Sequence, residues 1–188
     1  MKDAYKQVLK EILIDEDTLM ARVRELGEEI TEDYAEDDNL ILVCILKGGV
    51  MFLTDLARHI HVPHEMDFMA ISSYGKGRRE STGMVRFEMD MSLSVAGKRV
   101  LIVEDIIDSG YTLSKVVEVL QTRGPQDVRI CTLLDKHARR KVDIPVDYVG
   151  FPIEDKFVFG YGLDLDEHFR NLPFIGVVDL DKLPQNPE

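Results

Sequence analysis

Three carboxylates follow an apolar tetrapeptide near the middle of the chain. The tetrapeptide covers residues 100–103, Glu104 and Asp105 come directly after it, and Asp108 follows. A purely apolar run of this length is typical of a strand buried on both faces. Because open α/β sheets bind ligands outside the carboxyl ends of their strands, we expect Glu104 and Asp105 to lie just beyond this strand. There they could accept hydrogen bonds from a sugar diol or support a metal.

Residues 108–112 have the composition of a phosphate-binding turn. They read Asp108-Ser109-Gly110-Tyr111-Thr112 and lead into a helical pattern. In such a turn, backbone N–H groups point inward together at the positive end of the following helix. Gly110 allows close approach of the main chain to a ligand. Asp108 also has a purely structural interpretation, as the N-cap of that helix.

The elements that must position these residues alternate between strand and helix patterns. Strands are predicted at residues 11–14, 40–46, 65–72, 85–89, 99–103, 128–134, 146–151 and 174–178, and helices at 19–34, 50–60 and 113–120. This alternation predicts an α/β fold, a mostly parallel twisted sheet flanked by helices. Between two of the strands, the segment from Ser73 to Gly83 contains three glycines and four charges. After Tyr74 it has no apolar pattern, which predicts a long loop, either a lid or a disordered segment.

The chain resembles the type I phosphoribosyltransferases, and among them the bacterial hypoxanthine-guanine phosphoribosyltransferases. Residues 100–113 resemble the motif that binds phosphoribosyl diphosphate (PRPP) in that family. The resemblance covers roughly residues 10–179 and includes, in the expected order, Leu46-Lys47-Gly48-Gly49, Ser72-Ser73-Tyr74-Gly75, Leu134-Asp135-Lys136, residues 155–164 and Phe169-Arg170-Asn171-Leu172-Pro173. It implies one phosphoribosyltransferase domain over residues 1–188, with a small hood formed by the N-terminal segment and residues after about 150.

The resemblance implies a role for each residue of the central motif. Glu104 and Asp105 would bind the ribose hydroxyls, directly or through Mg²⁺, and Asp108 would be the general acid/base at N7 of the purine. The 5′-phosphate would be held by Ser109, Gly110, Tyr111 (through its backbone) and Thr112.

Other segments would bind pyrophosphate, the base and the metal. The resemblance implies a pyrophosphate loop at Lys47, Gly48 and Gly49, with a non-proline cis peptide between Leu46 and Lys47, and a pyrophosphate contact from Arg170. It implies that Lys136 donates to O6 of a 6-oxopurine. The remaining implied contacts are Phe157 stacking on the base, Val158 and Asp164 at its other edge, Asp164 as a further Mg²⁺ partner, and Ser73 and Tyr74 in a lid.

Composition restricts the setting and the partners. The net charge of −12 argues against nucleic acid and anionic membranes as partners, and no apolar run is long enough for a membrane span or a secretory signal. Cys44 and Cys131 fall in predicted buried strands, so a reduced, cytoplasmic setting and a non-catalytic role are expected. The five histidines show no metal-binding spacing.

The expected activity is Mg²⁺-dependent transfer of phosphoribosyl from PRPP to hypoxanthine or guanine. The rivals are an RNA-binding regulator with this fold, which would need a basic face, and an enzyme for another base, such as xanthine or a pyrimidine. The resemblance also implies a homo-oligomer, a dimer or a tetramer. The basic run Arg139-Arg140-Lys141 is compatible with a solvated surface, a subunit contact or a contribution to the field near the substrate.

Overall fold

The computed structural model describes residues 4–36, 39–73 and 85–183. Within these ranges the strands are β1 (Leu9–Ile14), β2 (Leu40–Leu46), β3 (His64–Ser73), β4 (Val85–Met89), β5 (Arg99–Ile107), β6 (Asp127–Asp135), β7 (Tyr148–Pro152), β8 (Val158–Phe159) and β9 (Ile175–Val178). The α-helices are α1 (Glu16–Asp33), α2 (Val50–Ala57) and α3 (Tyr111–Gln121), and short 3₁₀ turns cover Ala4–Gln7, His137–Arg139 and Leu180–Lys182.

A six-stranded sheet is the centre of the fold. Its strand order is β4-β3-β2-β5-β6-β7. All neighbouring strands are parallel except β3 and β4, which pair antiparallel. The predicted mostly parallel sheet is therefore confirmed.

The two faces of this sheet carry separate hydrophobic cores. Along β2, Leu40, Leu42 and Cys44 pack with α1 and α2, whereas Ile41, Val43 and Ile45 pack with α3 on the opposite face. This split follows from the two-residue period of a strand. A strand with both faces covered must be apolar throughout, which is why β2 and the start of β5 are recognisable in the sequence.

A second, three-stranded sheet joins the two ends of the described chain. Its order is β1-β9-β8, and both pairings are antiparallel. The following helix α1 begins at Glu16, three residues before the predicted helix, because Asp15 Oδ1 accepts the Thr18 N–H at 2.8 Å and caps the helix. Among the described helices, none combines the length and the apolar character that crossing a membrane requires.

The strand that contains the acidic pair is longer than predicted. We expected it to end at Val103, but β5 pairs with β6 as far as Ile107. Its pairing with β2, in contrast, ends at Val103. Glu104 and Asp105 therefore lie inside a strand rather than beyond it, at the point where one neighbour has left the sheet. The prediction was wrong because the apolar run reports where β5 is covered on both faces, not where its backbone pairing stops.

Candidate active site

A cleft of about 350 Å³ opens at the carboxyl ends of β2 and β5. The predicted residues that line it are Lys47, Gly48, Glu104, Asp105, Asp108, Ser109, Gly110, Thr112, Asp164 and Arg170. Gly49 and Tyr111 do not line the cleft, although each is next in sequence to a lining residue; Gly49 precedes α2 and Tyr111 is the first residue of α3. The structure thus brings together segments that are more than a hundred residues apart in the sequence.

The turn before α3 has the backbone that a phosphate site requires. Gly110 has a φ of 84°, in the left-handed region that favours glycine, and it is the N-cap of α3. The N–H groups in the first turn of a helix have no partner within the helix, so they remain available to an anion. Because Gly110 occupies the N-cap, the alternative interpretation of Asp108 as N-cap is wrong.

The acidic pair is buried and only partly satisfied. Asp105 is 8% exposed, and its Oδ1 accepts the Ile106 N–H at 2.9 Å. Within the described ranges, Oε2 of Glu104 is buried without a hydrogen-bond partner. Burial raises the pKa of Asp105 to about 6, and burial together with the neighbouring Asp105 raises the pKa of Glu104 well above its usual value. Such a pair favours binding of hydroxyl donors or a cation, since either would supply the missing partner.

The loop after β2 contains close backbone contacts. The peptide bond between Leu46 and Lys47 is cis, as the resemblance implied. A Cβ atom at Gly48 would collide with Oδ2 of Asp105, and one at Gly162 would collide with the carbonyl oxygen of Gly48. Glycine at both positions therefore lets the loop lie directly between the acidic pair and the segment that contains Arg170.

Two cations on this side of the cleft share one carboxylate. Glu167 Oε2 lies 2.9 Å from Lys47 Nζ and 3.3 Å from Arg170 Nη2. These contacts, first with Lys47 and then with Arg170, lower the pKa of Glu167. Asp164 fixes the arrangement, since it accepts the Glu167 N–H at 2.8 Å and pairs with Arg170 at 2.8 Å. The predicted pyrophosphate cations are thus already close to an anion supplied by the chain.

A second series of ion pairs begins at Asp108. Its Oδ1 lies 2.9 Å from Nε of Arg139, and Nη1 of Arg139 lies 3.2 Å from Oδ2 of Asp155. Asp155 Oδ1 in turn lies 3.5 Å from Nζ of Lys136. Lys136 is thereby connected to the cleft although it does not line it.

The predicted base-contacting residues differ in exposure. The Phe157 residue is 47% exposed, whereas Val158 is only 5% exposed. The Phe157 carbonyl accepts the Val178 N–H at 2.8 Å, so β9 fixes the backbone at this point. An exposed aromatic ring on a fixed backbone is suited to stacking on a planar ligand.

The donor set is compatible with Mg²⁺ but is not complete without a ligand. Carboxylate oxygens come from Glu104, Asp105 and Asp164, the types that Mg²⁺ prefers. In the described ranges, however, no three His, Cys, Asp or Glu side chains converge closely enough to hold a metal by themselves. Mg²⁺ usually binds through one or two carboxylates plus substrate phosphates and water, and an acidic pair with an unpartnered oxygen is consistent with that mode.

The predicted lid lies mostly outside the described residues. Ser73 is the last residue of β3, and residues 74–84 are not described. The prediction of a lid that includes Ser73 and Tyr74 therefore stays a prediction.

Three residues of the site were not predicted as functional: Arg139, Asp155 and Glu167. Arg139 belongs to the basic run Arg139-Arg140-Lys141, whose role the sequence left open, and that run was the available signal. Arg140 in the same run forms a buried pair with Asp135 at 3.0 Å, so neighbouring arginines have different roles. No signal in the sequence distinguishes Glu167 from the other acidic residues of its segment.

Comparison with known proteins gives consistent similarities. The family model described as a phosphoribosyl transferase domain matches residues 11–168. A hypoxanthine phosphoribosyltransferase of Salmonella typhimurium is 52% identical over 90% of this chain and 96% of its own. The structure of a hypoxanthine phosphoribosyltransferase from Staphylococcus aureus matches with a TM-score of 0.91 at 45% identity, covering 96% of this chain and 97% of that one. A hypoxanthine-guanine phosphoribosyltransferase from Bacillus anthracis matches with a TM-score of 0.85 at 42% identity, covering 91% and 98%.

Proposed function

The chain belongs to the phosphoribosyl transferase domain family, and from this premise we propose that it transfers phosphoribosyl from PRPP to hypoxanthine in purine salvage. Guanine is the second proposed acceptor, and the products are IMP or GMP and pyrophosphate. The single observation that supports this most is the buried, partly unpartnered acidic pair Glu104–Asp105 beside the glycine-capped start of α3. A phosphate site next to a diol site is what a ribose 5-phosphate group needs.

PRPP would bind along the cleft from the α3 turn to the Lys47 loop. The N–H groups of Ser109, Gly110, Tyr111 and Thr112, with the two hydroxyls of Ser109 and Thr112, take the 5′-phosphate. Glu104 and Asp105 accept hydrogen bonds from the 2′- and 3′-hydroxyls. The pyrophosphate lies against Lys47, the Gly48-Gly49 backbone and Arg170, whose guanidinium matches phosphate oxygens two at a time.

The reaction exchanges one bond at C1 of the ribose for another. The bond from C1 to the pyrophosphate oxygen breaks, leaving an oxocarbenium-like ribose, and N9 of the purine forms the new bond to C1. The purine must lose one proton, and the carboxylate of Asp108 accepts it at N7 or stabilises it there. The leaving electron pair stays on pyrophosphate, so charge and atoms balance.

Glu104, Asp105 and Asp164 are the residues that would hold Mg²⁺ together with substrate oxygens and water. When bound, Mg²⁺ supplies positive charge to the ribose hydroxyls and to the departing pyrophosphate. Support comes from the carboxylate donor set and from the unpartnered Glu104 oxygen.

Base choice would depend on Lys136, Phe157, Val158 and Asp164. Lys136 has only donors, so it pairs with a 6-oxo group and is mismatched with the 6-amino group of adenine. Phe157 stacks on the ring, and backbone carbonyls near Val158 and Asp164 accept from the 2-amino group of guanine. The 2-oxo group of xanthine would face the same acceptors, so xanthine should be a poor substrate.

The decisive test is a turnover assay with PRPP, Mg²⁺ and a panel of hypoxanthine, guanine, xanthine and adenine. We expect IMP and GMP to form and adenine to fail. An absence of product with every base would refute the proposal. If such an inactive chain bound RNA, that would favour the regulatory rival.

A cytoplasmic location is a further proposal, supported by the family and by the buried, unpaired cysteines. A homo-oligomer, either a dimer or a tetramer, is proposed from the family resemblance alone. Light scattering on the purified protein would measure the number of subunits.

A further inference from the structure

The segment that follows β6 is held beside the turn that contains Asp108. The Lys136 N–H donates to the Ile107 carbonyl at 3.0 Å, and the Lys141 N–H donates to the Ser109 carbonyl at 3.0 Å. The two carbonyl groups belong to the residues before and after Asp108. The two N–H groups belong to residues on either side of Arg139 in the segment after β6. Main-chain pairing therefore places Arg139 opposite Asp108.

A tight turn directs the Arg139 side chain. The Arg139 N–H donates to the Lys136 carbonyl at 2.8 Å, which closes the 3₁₀ turn His137–Arg139. The guanidinium then contacts Asp108 through Nε and Asp155 through Nη1. Because the guanidinium is planar, these two contacts fix its orientation relative to both carboxylates.

Four side chains of alternating charge connect the proposed proton-transfer residue with the proposed base-recognition residue. They run in the order Asp108, Arg139, Asp155, Lys136, with separations of 2.9, 3.2 and 3.5 Å. In the proposed function, Asp108 acts at N7 of the purine and Lys136 acts at O6, which are neighbouring positions on one edge of the base. A single arginine thus connects the groups on that edge.

We propose that Arg139 is a positioning residue that holds Asp108 in its reactive orientation and, through Asp155, aligns it with Lys136. This inference rests on the proposed phosphoribosyl transfer and extends it to a residue with no assigned role. Arg139 does not contact the reacting atoms. It acts by fixing the carboxylate that does.

Exposure argues against a purely structural role for this arginine. The side chains of Arg139, Asp108 and Asp155 are 46%, 44% and 52% exposed, and ion pairs this exposed contribute little to stability. The adjacent Arg140 is the contrast, since it and Asp135 are both 11% exposed. Removal of Arg140 should unfold or distort the protein, whereas removal of Arg139 should not.

The test compares Arg139→Met with Arg123→Met under saturating PRPP and hypoxanthine. Arg123 also forms an exposed pair, with Asp90 at 2.8 Å, but away from the cleft, so it is a matched control. We expect Arg139→Met to lower kcat by roughly 10–100-fold, because misplacing a reacting group by about 1 Å can cost about 100-fold. KM for PRPP should change by less than about threefold, and Tm by no more than roughly 2–4 °C. Arg123→Met should retain wild-type kcat.

A double-mutant cycle with Asp108→Asn tests whether Arg139 acts through Asp108. If it does, adding Arg139→Met to Asp108→Asn should lower kcat by less than about threefold further, since coupled residues are not additive. Arg139→Lys keeps the charge but loses the planar fork, so we expect an intermediate kcat. If Arg139→Met folds poorly, Arg139→Lys replaces it in the comparison with wild type.

The inference is overturned if Arg139→Met keeps kcat within about twofold of wild type, or if its full effect persists beside Asp108→Asn. A change confined to KM would overturn it as well. Failure of the proposed function is distinguishable, because then the wild-type protein itself would form no nucleotide.

Discussion

Replacing Asp105 with asparagine should make the protein more stable at neutral pH while lowering its activity. Burial raises the pKa of Asp105 from 3.8 to about 6. One pKa unit corresponds to about 1.4 kcal/mol, so ionisation of this buried carboxylate lowers the free energy of unfolding by about 3 kcal/mol. Asparagine has nearly the same shape and no charge, so it should recover much of that amount.

The sign of the pH dependence follows from the direction of the shift. The folded state binds the Asp105 proton more tightly than the unfolded chain does. The contribution of the protonated Asp105 side chain to the free energy of unfolding is therefore complete below a pH of about 4 and is lost as the pH rises through about 6. The stability gained by Asp105→Asn should be small at a pH of about 4 and largest above a pH of about 7.

The local hydrogen bonds also favour asparagine. Its side-chain oxygen can keep the bond from the Ile106 N–H, which is 2.9 Å long. Its amide group adds a donor beside the Glu104 carboxylate, with which the Asp105 side chain interacts and whose Oε2 has no partner in the described parts of the chain. Activity should fall, because the amide nitrogen is not an acceptor for a ribose hydroxyl or a metal.

Urea and thermal unfolding at several pH values would measure the effect. For a chain of this length, about 3 kcal/mol corresponds to a rise in Tm of roughly 6–12 °C at neutral pH. Asp143→Asn, at an exposed position, is the control and should not show this pH-dependent gain. A variant less stable than wild type at neutral pH, or a gain that is equal at acidic and neutral pH, would refute the reasoning.

Three further predictions concern turnover and ligand affinity. Asp108→Asn should keep PRPP affinity but lose about 10²–10⁴-fold in kcat, and a rate within a few-fold of wild type would contradict its acid/base role. Adenine should be used about 10⁴-fold less efficiently than hypoxanthine, because a site built on a buried polar contact rejects the mismatch; kcat/KM for both bases measures this, and a ratio under about tenfold would exclude the role of Lys136. Glu167→Gln should bind pyrophosphate up to about fivefold more tightly in calorimetry, since the competing carboxylate beside Lys47 and Arg170 is gone. Unchanged or weaker binding would show that Glu167 does not compete.

Only part of the cleft could be predicted from local signals. The apolar run before Glu104 and the glycine at position 110 lie in one segment whose chemistry depends on neighbours in the sequence. Lys47, Gly48, Asp164 and Arg170 carry no such signal and were predicted only from the family resemblance. The burial of both faces of β2 was predictable from its own apolar residues.

The ion pairs could not be predicted in this way. Arg139 meets Asp108 across 31 positions and Lys47 meets Glu167 across 120, so the partners are selected by the packing of whole elements. The end of β5 was missed because strand length depends on β6, which continues pairing after β2 has left. The sequence reports the burial of a residue better than it reports the identity of its partner.

The pairing of β1 with β9 has a consequence for biosynthesis. β9 is the central strand of its sheet, and β1 and β8 each pair only with it among the described elements. β1 therefore cannot form its strand pairing until β9 has been translated, about 160 residues later. At about 5–20 residues per second, that delay is roughly 8–32 s on the ribosome. A nascent chain could complete its six-stranded sheet in that interval and still lack the fixed position of Phe157, so the base-binding side would be finished only after β9 has been synthesised.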